Sequence, residues 1–242
     1  MDKIIFYIIL VLILLIFIQL LFYSVVGFFG LLKPTRDYDI LEDELKFLFL
    51  IPACNEENVI ADTLKKIKEL NYNKEFYSVT CLVNNSSDNT FNISSKYNKT
   101  LDIKFTTNEA KGKPYVLQKY FNTEDEWKDY DYIIILDADN ITNQNFLKEM
   151  NSQILAYGKD NITVVQGYLG IKNILTSFMS AGYSASYFVA NRTIQYAKYR
   201  LGLNSTIGGT GFALNTDYIK EFGWNPKTYT EDFELQVGAT CC

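Results

Sequence analysis

The sequence predicts an α/β fold, a doubly wound and mostly parallel sheet, set behind one N-terminal transmembrane helix. Three observations carry that expectation. Ile4 to Leu32 contains no charged residue, and a bilayer span needs about 20 apolar residues. Beyond it, short apolar runs alternate with segments of helical period, the pattern of a sheet wound with helices on both faces. Polar loops recur directly after those runs, where open α/β sheets keep their ligands.

The apolar N-terminus is far longer than the core of a signal peptide, and no small-x-small cleavage site follows it. A permanent anchor over residues 1–33 is therefore expected. Asp2 and Lys3 precede the span, whereas Lys33 and Arg36 follow it; that bias places the bulk of the chain on the cytoplasmic side of a single-pass protein. Residues 34–45 read as a polar linker at the membrane surface, and residues 46–242 as one domain.

Composition removes several chemistries. The formal charge is −5 with scattered basic residues, so nucleic acid is not expected as a partner. The chain has no histidine, which excludes Ser-His-Asp triads and imidazole acid–base work. Proton transfer must fall to carboxylates, Lys, Tyr or Cys. The four cysteines show no metal-site spacing.

The domain opens with the buried-strand run Phe47 to Pro52. A helix with Ile60, Leu64 and Ile67 on one face follows, with Glu56 and Glu57 expected in its first turn. Ser78 to Val83 is a second strand, leading into the polar loop Asn84–Thr90 and a short helix. Leu101 to Thr106 reads as a third strand. After Lys111-Gly112-Lys113 comes a helix burying Val116, Leu117, Tyr120 and Phe121.

The central strand, Ile133 to Leu136, ends in Asp137-Ala138-Asp139. If the extended geometry persists through Asp139, both carboxylates point the same way and can hold a hard cation. The competing reading is that Asp139 or Asn140 caps the next helix. That helix carries Phe146, Leu147, Met150 and Ile154, and a strand over Ile162 to Gly167 follows it. Ile174 to Ala190 is uncharged and reads as a buried or interfacial helix, or as one packing a site against the membrane. A small-residue turn, Gly208 to Gly211, enters a short strand. Thr230 is a candidate helix N-cap with Glu231 and Asp232 in the first turn.

Six of these segments occur in an order that resembles the family 2 glycosyltransferases of GT-A fold, the group of cellulose, chitin and hyaluronan synthases. They are Ile51 to Glu57, Asn84 to Thr90, Lys111 to Lys113, Asp137 to Asp139, Gly208 to Gly211 and Thr230 to Asp232. The resemblance implies that Pro52, Ala53, Asn55 and Glu57 line the nucleotide pocket. It also implies that Asp139 ligates magnesium or manganese on the donor diphosphate, with Asp137 near the ribose and sugar. Lys113 would approach uracil or the phosphates. Asp232 would be the general base, with Glu231 beside it in the catalytic segment, and the Gly208–Gly211 turn would border the acceptor. The implied partners are a nucleotide-sugar donor, a lipid or glycan acceptor, and the membrane.

Two departures qualify it. Relatives carry an aspartate for the base where Asn84 stands, and asparagine can donate as well as accept. The Gln-x-x-Arg-Trp segment of processive relatives is not present in these residues. An incomplete form, with walls missing from the acceptor and diphosphate sites, is therefore expected. A non-catalytic partner subunit that keeps the fold is the alternative function, and a nucleotidyltransferase on the same sheet is a third.

Overall fold

The computed structural model describes residues 2–32, 36–97, 105–106 and 112–241. Lys33, Pro34, Lys111 and Leu101 to Lys104 of the expected third strand lie outside them. The chain divides into two compact units, one of residues 1–37 and 169–206, the other of residues 38–168 and 207–242.

The larger unit is built on a six-stranded mixed sheet of order β3-β2-β1-β4-β6-β5. Its strands are β1 (Phe47–Ala53), β2 (Tyr77–Asn84), β3 (Phe105–Thr106), β4 (Tyr132–Ile135), β5 (Val164–Gln166) and β6 (Phe212–Asn215). β1 runs parallel to β2 and to β4, with Phe47 opposite both Tyr77 and Tyr132. β6 is inserted antiparallel between β4 and β5, pairing Ile135 with Phe212 and Val165 with Ala213. The apolar runs thus lie at the sheet centre, where both faces are covered and no alternation with polar residues is needed.

Side-chain alternation sorts each strand between two cores. Phe47, Phe49 and Ile51 point to the side of α2 (Ile60–Lys68) and α5 (Phe146–Tyr157), meeting Leu64, Ile67, Leu147 and Ile154. Leu48 and Leu50, with Ile133 and Ile135, point to the side of α4 (Lys113–Thr123) and α8 (Thr216–Phe222). There they meet Val116, Leu117, Tyr120, Trp127 and Ile219, and Leu235 of α9 (Glu231–Cys241) joins them. α9 continues through Gln236, a stretch in which no helical period is evident. The short α3 (Thr90–Ser95) follows β2 as expected.

Residues 38–45 are tied to α5. Asn151, fully buried, accepts from the amides of Glu44 and Leu45 and from the Tyr72 hydroxyl, and donates to the Glu42 carbonyl. Asn151→Ala strands several of these groups in a dry environment. A loss of about 3 kcal/mol is expected, read from the urea midpoint of unfolding; a loss below about 1 kcal/mol would refute it.

The smaller unit contains α1 (Asp2–Leu32), α6 (Phe178–Val189), a π-helical stretch Ala190–Gln195 and α7 (Tyr196–Arg200). Within α1, Lys3–Leu32 is long and apolar enough to cross a membrane. Gly30 lets α1 approach the π-helical stretch: a Cβ there would lie 2.3 Å from the Arg192 carbonyl oxygen. Asp37 pairs with Arg200. No residue of α6 is buried, and Phe178 is 91% exposed, so the buried-helix reading of Ile174 to Ala190 does not hold.

Candidate active site

The site is assembled at the carboxyl edge of β1, β2 and β4. β4 ends at Ile135, and the chain then turns instead of continuing extended. The Asn140 amide donates to the Asp137 carbonyl at 3.1 Å, closing a turn over residues 137–140. The two carboxylates of the Asp-x-Asp segment therefore do not share a strand face. Neither Asp139 nor Asn140 caps a helix, because α5 starts at Phe146 with Asn145 at its N-cap.

Four contacts hold this turn. Thr63 of α2 donates to the buried Ala138 carbonyl at 2.7 Å. The Thr210 hydroxyl accepts from the Asp137 amide at 2.9 Å and from the Asn140 side chain at 2.7 Å. Lys113 Nζ donates to Asp137 Oδ1 at 2.8 Å. Asp139 is exposed and, among the described residues, carries no hydrogen bond or ion pair. The two acids have separate tasks: Asp137 is spent on the protein, and Asp139 faces outward.

Lys113 is the electrostatic centre. Its ammonium also donates to the Gly209 carbonyl and lies 3.5 Å from Glu231 Oε1. It thus joins the Asp-x-Asp turn, the glycine turn and the start of α9. Glu231 is buried, and burial, partly offset by Lys113, raises its carboxyl above the ordinary glutamate value. For an acid raised in the fold, the associated stability is present below the unfolded value and is lost as pH rises through the folded one. Glu231→Gln should therefore melt near the parent at about pH 4 and above it at about pH 7. Equal melting temperatures at both pH values would refute this reading.

Asp232 is half-buried at the first turn of α9, its Oδ1 accepting from the Phe233 amide at 2.9 Å. The Thr230 carbonyl accepts the first helical bond from the Glu234 amide. Gly209, at φ 74°, makes room for Asp232: a Cβ there would lie 3.1 Å from Asp232 Oδ2. Any side chain would be strained by the backbone and pressed against the carboxylate.

Asn55 and Glu57 are occupied in stapling two loops together. Asn55 adopts a left-handed conformation at φ 60° and accepts from the Ser87 amide at 2.9 Å. Glu57 Oε2 accepts from the amide and side chain of Asn89, and its own amide donates to Asp88. The Glu56 amide donates to Thr90 at 2.7 Å. Glu56 and Glu57 precede α2 instead of lying in its first turn, since Val59 holds the N-cap position. Pro52 and Ala53 end β1, and the buried Asn84 ends β2 one strand away.

Burial and the negative charges of Asp139, Asp137 and Asp88 raise the Glu56 carboxyl, in that order of weight. A cation would relieve this crowding. Among the described residues no three carboxylates, cysteines or histidines form a closed cage. Exposed carboxylate oxygen is a donor type that fits a hard cation such as magnesium or manganese.

A mixed α/β sheet with an exposed Asp-x-Asp turn at the carboxyl edge of its parallel strands is an architecture of GT-A type. The profile described as glycosyltransferase like family 2 matches residues 45–240, and the chain belongs to that family. It is 30% identical over 205 residues to the probable glycosyltransferase YdaM of Bacillus subtilis, covering 79% of this chain and 46% of that one. It is 28% identical over 200 residues to the poly-β-1,6-N-acetyl-D-glucosamine synthase of Staphylococcus aureus, covering 81% and 46%. The chain thus spans about half the length of these curated relatives.

Two solved structures share the fold. TarS 1–349 of S. aureus in complex with UDP superposes with a TM-score of 0.58 at 18% identity, covering 81% of this chain and 55% of that one. The mannosyltransferase PcManGT of Pyrobaculum calidifontis, in complex with GDP-Man and Mn2+, gives 0.59 at 15% identity, covering 86% and 55%.

Of the residues singled out from sequence, Lys113, Asp137, Glu231 and Asp232 come together around the glycine turn. Asn55 and Glu57 form a second cluster with the Asn84–Thr90 loop. Thr63, Thr210 and Gln166 were missed; each is an ordinary polar residue whose partners are distant in sequence.

Proposed function

We propose that the chain is a membrane-anchored, inverting glycosyltransferase domain that moves a sugar from a UDP-sugar to a lipid or polysaccharide acceptor. One observation carries the reading. The exposed carboxylate of Asp139 and the half-buried carboxylate of Asp232 flank one glycine turn, and both of their segments are tied to it. A UDP donor is supported by TarS, solved with UDP, and a polymer acceptor by the named product of the S. aureus synthase. α1 serves as a membrane anchor, residues 34–45 join it to the transferase domain of residues 46–242, and the Lys33 and Arg36 bias favours a cytoplasmic site.

Asp139 would hold a magnesium or manganese ion, which would supply positive charge against the leaving UDP. The protein's own residues do the rest. Asp232 takes the proton of the acceptor hydroxyl as that oxygen bonds to the anomeric carbon and the bond to the β-phosphate oxygen breaks. Attack opposite to the leaving group inverts the anomeric centre. Glu231 is paired with Lys113, leaving the base role to Asp232. Pro52, Ala53 and Asn84 border the nucleotide pocket, and the Asn55 and Glu57 staples keep its two loops together.

The test is a thermal-shift titration of the detergent-solubilised chain with UDP and Mn2+, separately and together, with GDP as the control. Ligands that bind only the folded state raise its melting temperature by mass action. A shift needing both UDP and Mn2+ is expected. A folded sample that shifts with neither nucleotide would leave the non-catalytic subunit as the standing reading.

A further inference from the structure

We propose that Thr210 and Gln166 are positioning residues that lock the Asp137–Asn140 turn onto the 208–211 turn, and so hold the donor-side and acceptor-side acids in one register. The clamp itself rests on hydrogen-bond geometry. Its consequence for donor binding rests on the function proposed above.

A hydroxyl has two acceptor lone pairs, and Thr210 spends both on the same turn, one on the Asp137 amide and one on the Asn140 side chain. The Asp137 amide comes just after β4 ends, where the strand ladder no longer supplies a partner. The acceptor arrives from β6's entry turn, 73 residues later in the chain. Sequence proximity plays no part in it.

Gln166 acts one layer behind. Its Oε1 accepts from the Gly208 amide at 2.7 Å, and its Nε2 donates to the Thr210 carbonyl at 3.0 Å. One side-chain amide therefore bridges both ends of the segment that presents the Thr210 hydroxyl. Lys113 secures the carbonyl between them, at Gly209. The glycine turn is thus pinned at three successive residues, and Asp232 packs against its middle one. Displacing the turn moves both acids together.

The inference is tested by amide hydrogen exchange on the full solubilised chain, comparing the parent with Thr210→Val and Thr210→Ser. Valine keeps the shape of threonine and removes the acceptor; serine keeps the acceptor. Exchange over residues 136–141 should accelerate about tenfold in Thr210→Val and return to the parent rate in Thr210→Ser, with β2 unchanged in both. In parallel, Mn2+ affinity in the presence of UDP, read by electron paramagnetic resonance, should fall about tenfold in the valine variant only.

Unchanged exchange in Thr210→Val overturns the clamp, even where UDP and Mn2+ bind normally. Equal acceleration in the valine and serine variants, or acceleration that includes β2, overturns it too, since the hydroxyl would not be the cause. Failure of the parent chain to bind UDP and Mn2+ sinks the function proposed above, while the exchange result still decides the clamp.

Discussion

Asp139→Ala is expected to lose Mn2+-dependent UDP binding and about 10³-fold in turnover. The loss corresponds to about 4 kcal/mol of charge stabilisation on the departing diphosphate. Stability should hardly move. The Asp139 side chain is exposed and has no partner among the described residues, and such substitutions usually stay within about 0.5 kcal/mol. That contrast makes the experiment informative. A variant that melts with the parent yet no longer shifts with UDP and Mn2+ identifies a ligand-binding acid. Undiminished UDP and Mn2+ binding would remove Asp139 from the metal role.

Asp232→Asn is expected to split the kinetics in the opposite way. Asparagine preserves the size of the side chain and can still accept from the Phe233 amide, so α9 should start as before. It cannot take a proton at neutral pH. Turnover should fall about 10³-fold, within the range for loss of a general base, while the donor KM stays within about threefold. Steady-state kinetics with the acceptor in excess measures both. A variant that keeps more than about a tenth of parental turnover would move the base elsewhere. Glu231 is a poor substitute, because its carboxylate is buried against Lys113.

Much of the frame could be read from residue order alone. The runs Phe47–Pro52, Ser78–Val83 and Ile133–Leu136 are central strands because little but a doubly covered sheet accommodates consecutive apolar, β-rich residues. The buried face of α4 follows from Val116, Leu117, Tyr120 and Phe121 at helical spacing. What could not be read is pairing. Nothing near Phe212–Asn215 says that this short strand runs antiparallel between β4 and β5, because direction and neighbour depend on partners far away in the chain.

The same limit applies to the site. Motif order brought Lys113, Asp137 and Asp232 into one proposal, but the protein partners of Lys113 had to be seen: an aspartate, a carbonyl and a buried glutamate. Extended geometry through Asp139 was a reasonable condition on local grounds. It fails because Thr63 and Thr210 bend the chain from outside the segment. Asn55 and Glu57 look like ligand residues by type, and the fold adds that they tie their loop to residues 87–89.

The antiparallel insertion of β6 also sets an order of assembly. A ribosome delivers the chain from its N-terminus, at about 5–20 residues per second. β1, β2 and β4 can pair as soon as Ile135 has emerged. β4 then keeps an open edge of unpaired amides and carbonyls until Phe212–Asn215 arrives to close it. Asp232, the base proposed above, emerges later still. The nascent domain therefore passes through a stage that holds Asp137 and Asp139 without Asp232, and it needs its open edge shielded for the seconds in between.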